Sequence, residues 1–128
     1  MADPLYIAAV AGGTAVGAPT RFLVDRFIQA RNDRVFPWGT FTVNIGGSLI
    51  LGLLTGLSLH FGLGPAWLLV LGTGFCGGLT TFSTFGYENL ALCEDGEFGA
   101  AFFYTVTSIV AGLAAAALGL GLVAWIGA

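Results

Sequence analysis

The chain has 128 residues, of which 56% are hydrophobic and only 9% charged, and its formal net charge at pH 7 is −3. Soluble domains carry about a quarter charged residues, whereas here Val35–Tyr87 and Phe98–Ala128 contain no Asp, Glu, Lys or Arg. That balance excludes a soluble enzyme, a nucleic-acid binder and a disordered linker, and it describes an integral membrane protein.

A membrane-crossing helix needs about 20 mostly apolar residues. Residues 4–27 supply the first, with Pro4 suited to an initial helical turn. This start does not read as a cleavable signal peptide, because Asp3 stands where a positive region is expected and the apolar run continues too far. Residues 36–60 supply a second span, and Phe61-Gly62-Leu63-Gly64-Pro65 a short turn. Residues 66–92 and 98–126 supply the third and fourth. Trp38, Trp67 and Trp125 fall near segment ends, where interfacial anchors belong. The expected architecture is a single four-helix, multi-pass membrane domain over residues 1–128. Cys76 and Cys93 lack the spacing of a disulfide framework and read as small apolar residues. His60, the only histidine, falls at headgroup level.

The 21 glycines are more than twice the usual share. In lipid, helices associate by close backbone approach, which small residues permit. Gly13/Gly17 and Gly52/Gly56 are pairs of this kind, and Gly46-Gly47 adds a flat patch. Gly77-Gly78 fits that explanation poorly. The third span also matches G-x-G-x-x-G at Gly72, Gly74 and Gly77, with Glu94 beyond it. That fingerprint needs a strand–helix–strand unit, which a membrane span cannot provide.

Gly77-Gly78 followed by Thr80-Thr81 weakens helical propensity in mid-span. Two readings stay open from composition alone. One is a kink that serves packing. The other is a broken helix, whose freed carbonyls can hold a cation and whose restarting N-terminus faces an anion. Just after it, Phe82, Phe85 and Glu88 recur every three residues on one helix face, among the hydroxyls of Thr80, Thr81, Ser83 and Thr84. The second span carries a polar stripe of Thr40, Asn44 and Ser48, and the fourth carries Tyr104 and Ser108, with Gly112 next in the row. Arg21 ends the first span; it can snorkel or pair with Asp25, or place a fixed charge at the mouth of an anion path. Hydroxyl and amide donors with positive ring edges suit a small anion. A lipophilic cation would want carboxylates and ring faces.

The run Gly77-Gly78-Leu79-Thr80-Thr81-Phe82-Ser83-Thr84-Phe85 is preceded by Gly17-Ala18-x-x-Arg21 and by Pro37-Trp38-Gly39-Thr40…Asn44…Gly47-Ser48. In this order the motifs resemble the Fluc (CrcB) fluoride channels, and the likeness continues into the fourth span through Tyr104 and Ser108. It implies an all-α membrane protein with a third helix broken mid-membrane, assembled as an antiparallel, dual-topology dimer with two pores. Fluoride would pass the ring edges of Phe82 and Phe85, contributed by different subunits. Asn44 would be the pore asparagine, Tyr104 and Ser108 the polar track, Glu88 a pore-side acid and Arg21 a vestibule residue. Thr40, Ser83 and Thr84 add hydroxyls to the same lining. A structural, untransported Na⁺ would be held by backbone carbonyls at Gly77 and Thr80. Gly112 offers no hydroxyl at the far end of the track.

The implied function is passive fluoride export through a cell membrane, without a pump or an enzymatic step. HF enters by diffusion and dissociates inside, and an inside-negative potential worth roughly 2.3 kcal/mol per charge per 100 mV drives F⁻ outward. Arg21, Arg26, Arg31 and Arg34 all lie at or in the first connection, a bias that ordinarily fixes one orientation. Either Asp25 and Asp33 weaken it in an antiparallel homodimer, or the partner is an oppositely biased paralogue in a heterodimer. The rival class is a small dual-topology multidrug or cation transporter. It needs an acid within the first span, and residues 4–20 contain none. A structural scaffold, with the polar stripes as glue, is the non-transport alternative.

Overall fold

The computed structural model describes residues 3–32 and 35–128. Asp33 and Arg34, which carry part of the charge bias of the first connection, lie outside the described residues. Four stretches are helical, long and apolar enough to cross a membrane: Pro4–Ala30, Trp38–Phe61, Pro65–Glu94 and Phe98–Ile126. The all-helical membrane architecture expected from composition is therefore present.

α1 (Pro4–Ala30) starts where Asp3 accepts the Leu5 N–H at 2.9 Å and Pro4 fills the first turn. At its far end Arg26 and Arg31 lie over the rings of Phe22 and Phe27, at 5.4 and 3.7 Å, so their stems cover apolar surface while the charges reach outward. α2 (Trp38–Phe61) closes on Gly62, whose φ of 70° is a left-handed cap that a side chain would strain. Pro65 then opens the third span in four pieces. A short turn, α3 (Pro65–Leu68), widens into a π-helical stretch, Leu69–Cys76, and tightens again as α4 (Gly77–Leu79). After an interruption at Thr80 and Thr81 the span resumes as α5 (Phe82–Glu94). Gly96, with φ of 76°, turns the chain into α6 (Phe98–Ile126).

Two glycine seams join these helices. α1 crosses the third span on Gly13, which faces Gly74, and on Gly17, which lies against the backbone of Phe75 and Leu79, while Gly78 receives Thr14 and Ala18. A methyl added at Gly13 would sit 2.8 Å from the Phe75 nitrogen and 2.9 Å from Gly74 Cα, and one at Gly78 would sit 2.9 Å from the Ala18 nitrogen. α2 lies along α6 in the same way: a methyl at Gly56 would meet Val123 Cβ at 2.7 Å, and one at Gly119 would meet the Leu53 nitrogen at 2.7 Å. Gly78 is thus a packing glycine after all, whereas a methyl at Gly77 would meet nothing within 4 Å. Of the Gly46-Gly47 patch, only Gly47 is in contact, where it admits the Thr80 methyl.

Neighbouring glycines give a paired test. Gly13→Val inserts bulk between two backbones, and overpacking of this kind costs about 1–3 kcal/mol or more. Gly12, with nothing within 4 Å of its added methyl, faces away. Gly13→Val should therefore shift the protein to aggregate on size-exclusion chromatography, while Gly12→Val elutes normally.

The packed core sits at one end of the bundle, where Phe36, Leu92, Ala101 and Tyr104 bury one another, with Phe41, Phe85 and Cys93 leaning on them. Phe36 is the hub of the aromatic contacts, edge-on to Phe41 and Tyr104 with centroids 5.6 and 5.3 Å away. Both thiols are free, Cys76 buried and Cys93 half-buried.

Candidate functional site

The third span breaks because its backbone donors are diverted to side chains. Thr80 and Thr81 are both extended, with φ/ψ of −87°/157° and −150°/124°. In an unbroken helix the Thr81 N–H would donate to the Gly77 carbonyl. Here it donates to Asn44 Oδ1 at 2.8 Å, while Asn44 Nδ2 donates to the Thr81 carbonyl at 3.0 Å. The Thr84 N–H, whose helical acceptor would be the Thr80 carbonyl, donates to Thr81 Oγ1 at 3.1 Å, so Thr81 is the N-cap of α5. Arg21 Nε reaches the Gly78 carbonyl at 3.2 Å, and Thr14 Oγ1 the Gly74 carbonyl at 3.1 Å. The carbonyls of Gly77 and Thr80 are thereby released from their helical donors. Of the two sequence readings of this stretch, the geometry is that of a break.

Beside the break runs an open groove of about 560 Å³ between α2, the third span and α6. Asn44, Ser48, Gly77, Thr80, Phe82, Phe85 and Ser108 are among the residues that line it. Phe82 is 83% exposed, and its ring centroid lies 5.9 Å from that of the half-buried Phe85. Ser108 Oγ is buried yet has no hydrogen-bond partner among the described residues. Ser48 Oγ is taken by the Asn44 carbonyl at 2.8 Å. A methyl at Gly112 would come within 3.7 Å of Ser48 Oγ, so the residue that lacks a hydroxyl lies next to one that has it.

Beyond Phe85 the polar groups close on one carboxylate. Thr40 Oγ1 donates to Glu88 Oε2 at 3.0 Å and Tyr104 OH to Glu88 Oε1 at 2.9 Å. Thr40 and Tyr104 are 1% and 0% exposed, so burial commits both hydroxyls to this acid. Glu88 also borders a second cavity, of about 300 Å³, with Asp25, Gln29 and Asp95. The Phe85–Tyr104 contact, 5.0 Å between centroids, and the Glu88 cluster therefore stand between groove and cavity.

The residues singled out from the sequence thus fall into three groups. Asn44, Thr80 and Gly77 gather at the break with the two phenylalanines and Ser108. Thr40, Glu88 and Tyr104 form the carboxylate cluster. Arg21, Ser83 and Thr84 lie apart from the groove lining. Arg21 is on the α1 side of the break, Ser83 is exposed with its Oγ 3.4 Å from Thr81 Oγ1, and Thr84 accepts from Thr81 Oγ1 at 3.0 Å. Thr14, Gln29, Asn89 and Thr105 were missed. Asn89 carried a signal, since an amide in an apolar span must find a partner; Thr14 carried none.

The groove gathers hydroxyl and amide groups with aromatic ring edges, a lining that suits an anion. Comparison with known proteins agrees in class. The sequence profile described as "CrcB-like protein, Camphor Resistance (CrcB)" matches residues 8–120. A protein of Streptomyces avermitilis named "Fluoride-specific ion channel FluC 1" is 50% identical over 111 residues, which cover 87% of this chain and 90% of that one. A Frankia casuarinae protein of the same name is 50% identical over 119 residues, covering 88% and 92%. One from Nocardia farcinica is 48% identical over 121 residues, covering 94% and 82%. With four spans, a third helix broken at its threonines and relatives of this closeness along nearly its full length, the chain belongs to the CrcB family.

Proposed function

We propose that the chain is a subunit of a fluoride-selective, passive channel that lets F⁻ leave down its electrochemical gradient. The observation that carries this reading is the groove, lined both by Phe82, which is almost fully exposed, and by Ser108, whose buried hydroxyl has no partner among the described residues. In a lone chain this face would meet lipid, and an unsatisfied polar group there costs several kcal/mol. A second copy laid over the groove would enclose it and turn its donors toward a passing ion. The charge bias of the first connection makes the orientation of that copy testable, and the inverted orientation is the one that the resemblance to the Fluc channels implies.

Within the enclosed groove, F⁻ would exchange water for the rim hydrogens of Phe82 and Phe85, the hydroxyl of Ser108 and the second N–H of Asn44. One Asn44 N–H is committed to Thr81, and an amide has two. Glu88 holds the Thr40 and Tyr104 hydroxyls in place beyond the rings. The released carbonyls of Gly77 and Thr80 fit a structural Na⁺, which would supply positive charge between the copies. One chain offers only these two oxygens, so the partner would complete the shell.

Purified protein in liposomes loaded with fluoride or chloride tests the reading directly, with and without sodium. Fluoride should leave while chloride is retained, and efflux should fall when sodium is withdrawn. Chloride keeping pace with fluoride would defeat the selectivity claim. Retention of both anions would return the polar stripes to the role of glue. Labelling of tagged termini from one side only would replace the inverted homodimer with a heterodimer.

A further inference from the structure

Several threonines in these helices do what a hydroxyl in apolar surroundings ordinarily does, donating to the carbonyl four residues earlier. Thr20, Thr55, Thr80 and Thr107 all follow this pattern. Thr105 does not. Its Oγ1 crosses to α5 and donates to Asn89 Oδ1 at 2.8 Å. Asn89 Nδ2 in turn donates to the Phe85 carbonyl at 3.0 Å. One residue earlier on each helix, Tyr104 is joined to Glu88. Two polar rungs therefore tie α5 to α6 side by side.

α5 has particular need of both. The extended Thr80 and Thr81 separate it from α4, and α6 is the helix on which it chiefly packs. A single hydrogen bond between two helices is a swivel. A second one, placed one residue on and so about 100° around the α5 axis, removes that rotation. Rotation is what aims the aromatic rings, because Phe85 touches Tyr104 from α5 and Phe82 stands in the groove one turn before it.

We infer that Asn89 and Thr105 are positioning residues of the ion path, fixing the rotation of α5 on α6 and with it the aim of Phe82 and Phe85. The inference rests on the channel reading above. Neither residue touches the ion, and both act through the phenylalanines. Simple glue between helices would make a different mark, since it would act on assembly and leave the discrimination between anions unaltered.

The test uses the full chain in liposomes, read as fluoride efflux, as the fluoride-to-chloride ratio and as elution volume. Thr105→Val removes the hydroxyl at nearly constant volume. It should lower fluoride efflux roughly three- to tenfold, the scale of one interhelical hydrogen bond, and narrow the anion ratio, with elution unchanged. Thr105→Ser keeps the donor and should restore both readouts. Asn89→Leu combined with Thr105→Val should be no worse than the more severe of the two, because they break the same rung. Unaltered efflux and ratio in Thr105→Val would overturn the inference, as would loss of its elution peak, which would make the pair glue. If the unmodified chain passes no fluoride, the channel reading fails and takes this inference with it. The inference fails alone if the unmodified chain conducts and Thr105→Val matches it.

Discussion

Asn44→Leu should cost the protein its folded third span, and fluoride efflux with it. Leucine has the same branching at Cγ as asparagine, though it is larger, and it offers neither partner that Thr81 now has, the Oδ1 acceptor at 2.8 Å and the Nδ2 donor at 3.0 Å. Both backbone groups of Thr81 would then be unsatisfied at membrane depth, at several kcal/mol each. An isolated substitution rarely exceeds 4–5 kcal/mol, so this one belongs among the most damaging in the chain. The measurement is thermal aggregation in detergent, read beside efflux. Ser48→Ala supplies the control, because that hydroxyl only returns to its own helix at the Asn44 carbonyl. Asn44→Leu should aggregate tens of degrees earlier or fail to purify, while Ser48→Ala should stay near the parent. An unchanged melting profile for Asn44→Leu would show that the break stands without its brace.

Phe82→Ile should separate conduction from folding. At 83% exposure the ring supports little within its own chain beyond the tilted contact with Phe85, so the subunit should fold and elute as before. Fluoride efflux should fall by about tenfold or more, because isoleucine has no positive ring edge to replace the water that the ion leaves behind, an interaction on the scale of an aromatic contact. Phe85→Ile should behave differently. Its ring leans on Tyr104 and on the core around Phe36, so loss of flux should come with loss of thermal stability. Equal efflux from Phe82→Ile and the parent would remove the groove as the ion path.

Much of the fold is legible because lipid imposes it. Long charge-free stretches can cross a bilayer only as helices, and their ends are written in Pro4, Gly62 and Pro65, whose local geometry needs no distant partner. The seam through Gly13 and Gly17 shows in the spacing alone. The matching pair at Gly74 and Gly78 has the same four-residue spacing, but that spacing does not say which face the pair presents. Its glycines fall at the two ends of a stretch wound partly as a π-helix, where helical spacing gives no reliable guide to which face they present. The π-helical winding itself has no signal in composition.

The site was legible in its residues and not in its division of labour. Gly-Gly followed by Thr-Thr was compatible with a kink or a break, and the choice lay in Asn44, thirty-seven positions before Thr81. Asn44 appeared in the sequence as a donor for a passing ion, yet half of its amide braces the backbone. Arg21 could snorkel, pair with Asp25 or place a charge at an entrance, and the sequence held no sign that its Nε also donates to the Gly78 carbonyl. Asn89 shows in the sequence only as an amide in need of a partner, and that the partner is Thr105, sixteen residues on and on another helix, cannot be seen along either helix.

By itself, then, the sequence determined that this protein lives in a membrane as helices, and which polar side chains it carries there. Both follow from how each residue partitions between water and lipid, a property that needs no neighbour. Which hydroxyl meets which acceptor, which carbonyls are set free at Gly77 and Thr80, and which ring stays bare were decided only in the tertiary structure. Those depend on backbones brought together across the glycine seams, and a hydrogen bond forms only when distance and direction are both met.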